Sequence, residues 1–328
     1  MTPLIEVKNL KTYFKVGSGT LHAVDDVSLS IGKGKTMGVV GESGCGKTTL
    51  GRTIIHLQDS TEGQILFEGK DITKVNRQGL KEVRKNMQII FQDPFSSLNP
   101  RLTVESTIQE PLQISGRFKD KAEMREEAER LMELVGIRPR LRLAYPHELD
   151  GGRRQRVVIA RALAMNPKFI VCDEPVSALD VSIQAQVLNL LQDLQDKIGL
   201  TYMFITHDLS VVRHISDDIC VMYLGQLVET SPSKELFVQP LHPYTKALLS
   251  AIPSIDLDNQ EERILLKGEL VSPIDPKPGC RFAARCQYAC EKCLQPQKLE
   301  EVLPNHFVSC CRVRELNGLE TEAMAAAT

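Results

Sequence analysis

Apolar runs alternate with amphipathic segments along residues 4–230, which is the pattern of an α/β domain. The apolar runs at residues 169–172 and 202–205 predict two buried parallel strands. The segment between them carries apolar side chains at helical spacing and ends at Gly199; these side chains are Ile183, Val187, Leu190, Leu191, Leu194 and Ile198. We therefore predict a strand-helix-strand unit with a right-handed crossover.

Two further patterns predict elements outside this unit. The pattern at residues 120–135 predicts an amphipathic helix with a solvated charged face, ended by Gly136. Residues 65–71 alternate in polarity around a glycine, which predicts a hairpin outside the main sheet. Proline and polar residues become more frequent after residue 231, so we place a change of organisation near residue 250.

A glycine-rich segment follows the apolar run 37–40 and precedes a segment that can continue as a helix. This strand-loop-helix setting favours a phosphate-binding loop over the alternative, a glycine-rich surface turn. Backbone N–H groups and the helix N-terminus would surround phosphate, Lys47 would supply charge, and Thr48 would offer its hydroxyl to Mg²⁺. The predicted nucleotide-binding residues are Gly41, Ser43, Gly44, Cys45, Gly46, Lys47, Thr48 and Thr49.

Polar residues follow three other apolar runs. Asp173 and Glu174 end one strand, where Asp173 can hold Mg²⁺ and Glu174 can polarise an attacking water; an acidic strand cap is the alternative. His207 ends the next strand and could bond a γ-phosphate, although a lone histidine there is usually structural. Gln92 offers an amide that can reach Mg²⁺ and the water. The predicted catalytic residues are Glu174, His207 and Gln92.

A second anion site is predicted where Asp150, Gly151 and Gly152 open an amphipathic helix. The alternative is an ordinary helix start that Asp150 caps. The chain has one phosphate loop but two helix starts of this kind. We therefore expect the second site to serve a nucleotide on another subunit.

Composition limits the location and the partners. The net charge of −2 provides no global basic field, so we expect no nucleic-acid partner. The apolar runs are too short to span a membrane, and the N-terminus lacks a secretory signal pattern. We therefore expect a cytosolic chain that reaches a membrane only through a partner. Six of the nine cysteines lie between Cys280 and Cys311, and in a reducing compartment such clustering favours a metal over disulfides.

The order of these motifs resembles the ATP-binding subunit of an ABC transporter: the phosphate loop, Gln92, the signature at 149–153, Asp173 with Glu174, the loop 177–180, and His207. The resemblance implies an α/β phosphate-loop ABC ATPase core at 1–250, with an antiparallel β subdomain and a helical subdomain at about 94–160. A small cysteine-containing extension at 251–328 would follow. Two subunits of this family sandwich two ATP molecules, and Phe14, or alternatively Tyr13, would stack on adenine.

Residues 91–100, 240–253 and 278–286 are similar to segments of dipeptide, oligopeptide and nickel importers. This resemblance implies a peripheral ATPase on the cytoplasmic face of the membrane that powers peptide uptake, with nickel as the alternative solute. The implied partners are a second ABC ATPase subunit, two membrane permease subunits and an extracytoplasmic solute-binding protein. A soluble ABC ATPase of DNA repair or translation is the rival, but neither a second cassette nor a long coiled-coil insertion is present.

Terminal cysteines in that subfamily can hold a [4Fe-4S] cluster, and the matching residues here are Cys280, Cys286, Cys293 and Cys310. Thiolates suit zinc equally well, so zinc, free thiols or a redox sensor remain alternatives. Cys290 and Cys311 are additional, which leaves a switch of ligands open.

The signature departs from the family pattern, since Asp150 replaces a serine and Arg153 replaces a glutamine. An ionised carboxylate only accepts hydrogen bonds and repels a γ-phosphate. We therefore predict a heterodimer with unequal sites: the ATP on this chain, closed by the signature of the partner, is hydrolysed well, and the ATP on the partner poorly.

Overall fold

The protein is described by a computed structural model that covers residues 2–118, 120–252, 263–266, 268 and 272–319. The strands are β1 Ile5–Val16, β2 Gly19–Ile31, β3 Thr36–Val40, β4 Glu62–Phe67, β5 Lys70–Asp71, β6 Met87–Ile90, β7 Phe169–Asp173, β8 Thr201–Ile205, β9 Asp218–Tyr223, β10 Gln226–Pro232, β11 Glu300–Leu303 and β12 His306–Val308. The helices are α1 Lys47–Ile54, α2 Arg77–Asn86, α3 Pro94–Ser97, α4 Val104–Ser115, α5 Lys121–Leu134, α6 Gly151–Leu163, α7 Val181–Ile198, α8 Leu209–Ile215, α9 Ser233–Val238, α10 Pro243–Ser250 and α11 Val313–Leu316.

The strands form two sheets. The smaller sheet has the order β2-β1-β4-β5, and its neighbouring strands are antiparallel. The larger sheet has the order β11-β12-β10-β9-β3-β8-β7-β6, in which β9, β3, β8, β7 and β6 run parallel. The predicted fold class, a phosphate-loop α/β core with an antiparallel β subdomain and helical elements, is confirmed.

The strand-helix-strand unit has the predicted bounds within about one turn. Strands β7 and β8 are parallel neighbours, and α7 runs between them in sequence from its cap at Asp180 to Gly199, whose φ of 70° suits glycine. Helix α5 likewise begins at its cap Asp120 and is followed by Gly136. Strands β4 and β5 form the predicted hairpin outside the main sheet. Local patterns were therefore sufficient to predict these elements.

The helical elements α3–α6 lie within the range that the resemblance assigned to a helical subdomain, except that α6 continues to Leu163. Buried side chains of α4, α5 and α6 join one apolar cluster with α7 and with residues of β7 and β8. This cluster includes Ile108, Leu131 and Val158, which are 0–1 % exposed. Burial of this continuous apolar surface fixes the helices against one face of the parallel sheet.

The C-terminal extension adds strands to the main sheet. Strand β12 pairs with β10, so that Glu229 lies opposite Val308. The carboxylate of Glu229 is fully buried and accepts hydrogen bonds from the backbone N–H groups of Leu241 and His242, at 2.7 and 2.9 Å. It also contacts Nε2 of His306 at 2.7 Å. The extension is therefore hydrogen-bonded to the core. Residues 253–262, next to the expected domain boundary, lie outside the described residues.

Among the described residues, every helix is too short or too polar to cross a membrane.

Candidate active site

The phosphate loop connects the buried strand β3 to the start of α1 at Lys47. Gly41 and Gly46 have φ angles of 153° and 103°. A Cβ atom on Gly41 would lie 2.1 Å from the carbonyl oxygen of Met222, and one on Gly46 would lie 2.0 Å from that of Ala23. The backbone thus closes tightly around this turn only because both residues are glycine.

Lys47 lies at the centre of the loop and is 5 % exposed. Its Nζ atom donates to the carbonyl oxygens of Gly41 and Glu42, at 2.7 and 3.0 Å. These bonds hold the ammonium group over the loop, next to the N-terminus of α1. An anion bound there would meet a full positive charge and backbone N–H donors together.

Thr48 and Asp173 are joined by a direct hydrogen bond. The hydroxyl of Thr48 donates to Oδ1 of Asp173 at 2.7 Å, and Arg52 lies 3.6 Å from Oδ2. Burial raises the pKa of the Asp173 carboxyl, and the bond from Thr48 opposes that rise. A hydroxyl and a carboxylate side by side are oxygen donors that fit Mg²⁺.

Glu174 brings the three predicted catalytic residues together. Its Oε2 atom accepts a hydrogen bond from Nε2 of Gln92 at 2.9 Å, and its Oε1 atom lies 3.2 Å from Nδ1 of His207. The Glu174 side chain is 16 % exposed, whereas that of His207 is 59 % exposed. The half-buried carboxylate is therefore fixed by two neighbours at an edge that water can reach.

One cleft of about 570 Å³ lies beside these groups. Its polar lining consists of Ser43, Gly44, Gly46, Lys47, Thr48, Thr49, Gln92, Glu174 and His207, and its apolar lining of Phe14, Leu21, Ala23 and Pro273. The cleft thus offers polar groups for a phosphate chain and apolar side chains for a flat apolar group. Leu21, Ala23 and Pro273 were not predicted, because single apolar residues carry no local functional signal.

The two aromatic candidates for the adenine differ in their contacts. Phe14 lines the cleft. Tyr13 stacks on His22 with ring centroids 3.9 Å apart, and its hydroxyl bonds the carboxylate of Asp25. These contacts favour Phe14 as the residue that meets a base.

The signature residues do not line this cleft. Asp150 caps α6 by accepting a hydrogen bond from the backbone N–H of Arg153 at 2.7 Å, and its other oxygen lies 3.4 Å from Nε of Arg153. The Asp150 side chain is 58 % exposed. Gly151 and Gly152 face Leu179 and Ile183. Asp150, Gly151 and Gly152 thus lie outside the cleft that the phosphate loop of the same chain lines.

The cysteines form a group that differs from the set implied by the resemblance. The sulfur atoms of Cys290, Cys293 and Cys311 all lie within 4.8 Å of one another. Cys293 is 3.9 Å from Cys290 and 3.7 Å from Cys311. Of the implied set, only Cys293 belongs to this group; Cys280, Cys286 and Cys310 lie outside it. The two additional thiols are therefore part of the cluster that the described residues form.

Family comparisons match two parts of the sequence. Residues 24–177 match the family described as ABC transporter. Residues 228–293 match the family described as oligopeptide/dipeptide transporter, C-terminal region. The first range holds the phosphate loop, Gln92, Asp173 and Glu174, and the second holds part of the cysteine-rich extension.

Two curated relatives are similar along nearly their whole length. The oligopeptide transport ATP-binding protein AppF of Bacillus subtilis (strain 168) is 52% identical over 318 residues, which are 94% of this chain and 96% of the relative. The oligopeptide transport ATP-binding protein OppF of Salmonella typhimurium (strain LT2) is 49% identical, covering 95% of this chain and 97% of the relative.

Solved structures share the fold of the core. The ATP-binding cassette MJ0796, in a dimeric post-hydrolysis state bound to ADP and Pi, aligns with a TM-score of 0.64 and 29% identity over 70% of this chain and 98% of that chain. The cbiO1 protein of Clostridium perfringens, part of the ABC transporter complex cbiONQ, aligns with a TM-score of 0.65 and 29% identity over 73% of this chain and 92% of that chain.

Proposed function

The chain belongs to the ABC transporter family, and from this premise we propose that it is the ATP-hydrolysing subunit of an importer of dipeptides or oligopeptides. The observation that carries the reaction is the cleft that joins the phosphate loop to Gln92, Glu174 and His207, with Asp173 hydrogen-bonded to Thr48 of that loop. The choice of peptides as the transported solute is supported by the oligopeptide-transport relatives and by the matching C-terminal region.

The reaction is in-line attack of water on the γ-phosphate of ATP, which breaks the bond between the β- and γ-phosphates and releases ADP and phosphate. Glu174 accepts a hydrogen bond from the attacking water, while Gln92 and His207 hold that carboxylate in place. Lys47, released from the loop carbonyls, pairs with the phosphates. Mg²⁺, held through Thr48, Asp173 and Gln92, would neutralise phosphate charge. Catalysis is then largely positioning and electrostatics.

A second ATPase subunit completes each site in this proposal. The exposed start of α6 lies outside the cleft of its own chain, which suits contact with a nucleotide on a partner. Because Asp150 carries a carboxylate where the family has a hydroxyl, the partner would be a different subunit with a better signature. Two permease subunits and an extracytoplasmic binding protein would complete the importer, with this chain at the cytoplasmic face of the membrane.

The two regions of the chain would divide this work. Residues 1–250 would bind and hydrolyse ATP, with the helical subdomain at about 94–160 next to the permeases. Residues 251–328 would hold a metal centre, [4Fe-4S] or alternatively zinc, because six free thiols occur there and three sulfurs lie within 4.8 Å.

Cys293 belongs both to the implied ligand set and to the observed group. Metal analysis of anaerobically purified protein tests the centre. We expect Cys293→Ser to lose iron and sulfide, and the same loss in Cys290→Ser would assign that thiol as a ligand. Zinc without iron in the wild-type protein would identify the centre as a zinc site. Protein that contains neither metal would contradict the proposed metal centre.

Peptide-stimulated ATP hydrolysis tests the function as a whole. The complex, reconstituted in vesicles with its binding protein, should hydrolyse ATP faster when a dipeptide or an oligopeptide is added. Stimulation by nickel instead of peptides would show a metal importer, and hydrolysis that is independent of permeases and solute would favour a soluble ABC ATPase.

A further inference from the structure

An ion pair connects the cysteine-bearing extension directly to the phosphate loop. We propose that Arg285 is a positioning residue of the ATP site, which holds the phosphate loop through Glu42 and so makes ATP affinity depend on the extension. This inference rests on the proposed function, since it assumes that the loop binds ATP. Arg285 lies outside the 24–177 region that matches the transporter family and immediately precedes Cys286.

The contact between Arg285 and Glu42 is bidentate. One terminal nitrogen of the guanidinium lies 2.6 Å from Oε2 of Glu42, and the other lies 3.2 Å from Oε1. The two side chains are 11 % and 24 % exposed. Two parallel charge-assisted hydrogen bonds in a mostly buried place are stronger and more directional than a surface ion pair. The pair can therefore fix the position of Glu42.

Glu42 is in turn hydrogen-bonded to Lys47, whose ammonium group would contact phosphate. Its carbonyl oxygen accepts from Nζ of Lys47 at 3.0 Å, and its backbone N–H donates to the hydroxyl of Tyr244 at 2.9 Å. Glu42 is thus held at its carboxylate, its N–H and its carbonyl. If the carboxylate is released, the carbonyl beside Lys47 and the adjacent N–H groups of the loop can shift.

Arg285 is itself well anchored in the extension. It ends the short 3-10 helix Ala283–Arg285, and the preceding Phe282 is 2 % exposed. The Phe282 ring packs against Tyr223 and Tyr244, with centroids 5.3 and 5.4 Å apart. Tyr244 is the residue that also bonds the N–H of Glu42. One aromatic cluster therefore supports both the arginine and the loop.

A second arginine of the same segment contacts Asp25, which lies two residues after Ala23 of the cleft lining. Arg281 bonds the carboxylate of Asp25 and the carbonyl oxygen of Leu224, and Asp25 bonds the hydroxyl of Tyr13, which neighbours Phe14. Cys280 precedes Arg281 and Cys286 follows Arg285. The segment that carries Arg281 and Arg285 is thus bounded by two thiols.

The expected effect falls on ATP binding, because the side-chain hydrogen bonds of Arg285 go to Glu42 and not to Glu174, Gln92 or His207 in the part of the chain that the structure describes. In the full-length chain, Arg285→Met should raise the Kd for a fluorescent ATP analogue with Mg²⁺ about tenfold. In the assembled complex, the KM for ATP should rise similarly while kcat stays within about twofold. A smaller rise in Arg285→Lys is expected, because lysine keeps the charge but loses the bidentate contact.

A double-mutant cycle tests whether Arg285 acts through Glu42. In a Glu42→Gln background, Arg285→Met should raise the Kd less than about twofold. Arg312→Met is the matched control, since Arg312 pairs with Glu315 and donates to the carbonyl oxygen of Tyr288, both within the extension; its Kd should equal that of the wild type. Thermal unfolding of each variant verifies folding, and Arg285→Lys carries the test if Arg285→Met does not fold.

Two results would overturn the inference. One is a wild-type Kd in both Arg285→Met and Arg285→Lys. The other is that Arg285→Met raises the Kd equally in the wild-type and the Glu42→Gln backgrounds. A wild-type chain that fails to bind the analogue would instead reject the proposed function.

Discussion

The Oε1 atom of Glu174 lies 3.2 Å from Nδ1 of His207, while Oε2 accepts a hydrogen bond from Gln92 at 2.9 Å. Glu174 directly follows β7, while His207 and Gln92 lie two residues beyond the ends of β8 and β6. These three strands are neighbours in the parallel sheet, in the order β8-β7-β6. Parallel strands end at one edge, so residues far apart in sequence meet there. This relationship places the Glu174 carboxylate and its two neighbours in one cleft.

His207 should contribute to the rate of hydrolysis more than to ATP binding. His207→Ala removes a neighbour of the Glu174 carboxylate and a group able to bond the γ-phosphate. We expect kcat of the assembled complex to fall about 10- to 100-fold, with the KM for ATP changed less than about threefold. Exposed His214, outside the cleft, provides the control His214→Ala. A wild-type kcat in His207→Ala would remove His207 from the catalytic group.

Phe14 should determine affinity for the base. Loss of base stacking in Phe14→Ala should raise the Kd for ATP about 10- to 100-fold, since stacking on an aromatic ring contributes about 1–3 kcal/mol per base. The matched variant is Tyr13→Phe, which keeps the ring beside His22 and loses only the bond to Asp25. Equilibrium titration of the full chain measures both. A larger loss in Tyr13→Phe than in Phe14→Ala would exchange the two roles.

The sequence was sufficient for features that depend on local pattern. The phosphate loop was predicted from its glycines and flanks. Glu174, His207 and Gln92 each follow an apolar run, and the order of motifs that resembles an ABC ATPase singled them out as catalytic candidates. Helix α7 was predicted from its spacing and Gly199. In each case, the relevant residues are close in the chain or repeat along it.

The contacts of the extension could not be predicted in this way. Arg285 meets Glu42 and Pro273 meets the cleft across more than 200 residues, and no periodicity encodes such a pairing. The close approach of Cys290 and Cys311 to Cys293 depends on how the segment folds rather than on cysteine spacing. The addition of β12 to the main sheet depends on buried Glu229 and His306, which are polar and give no core signal.

Asp150 should limit hydrolysis by the assembled complex. Asp150→Ser removes a carboxylate that would face the ATP of the partner, while serine still caps α6. We expect ATP turnover of the heterodimer to rise about threefold or more. Asp120→Ser alters the cap of α5 in the same way and should leave turnover unchanged. Equal turnover in Asp150→Ser and the wild type would contradict the unequal-site hypothesis.

Buried His242 should make stability depend on pH. Burial lowers the pKa of His242 from 6.5 to about 4, although Glu229 opposes this. As pH falls from about 6.5 to 4, the unfolded chain binds this proton before the folded chain does. The stabilising contribution is therefore complete above pH 6.5 and is lost toward pH 4, by up to about 3 kcal/mol.

His242→Asn isolates this effect. Asparagine can still cap α10, as the imidazole does by accepting from the N–H of Tyr244 at 3.1 Å, but it does not titrate. Denaturant unfolding between pH 4 and 7 should show a smaller loss of stability in His242→Asn than in the wild type. His214→Asn, at an exposed position, should retain the wild-type slope. Identical slopes in all three proteins would show that His242 does not contribute.

The central claim is that this chain hydrolyses ATP through Glu174 to drive peptide uptake. The most direct measurement compares wild-type and Glu174→Gln complexes in proteoliposomes, following ATP retained on the complex, phosphate released and labelled peptide taken up. We predict that Glu174→Gln retains ATP, loses at least about 100-fold in phosphate release and abolishes uptake. Normal phosphate release and peptide uptake in Glu174→Gln would contradict the claim.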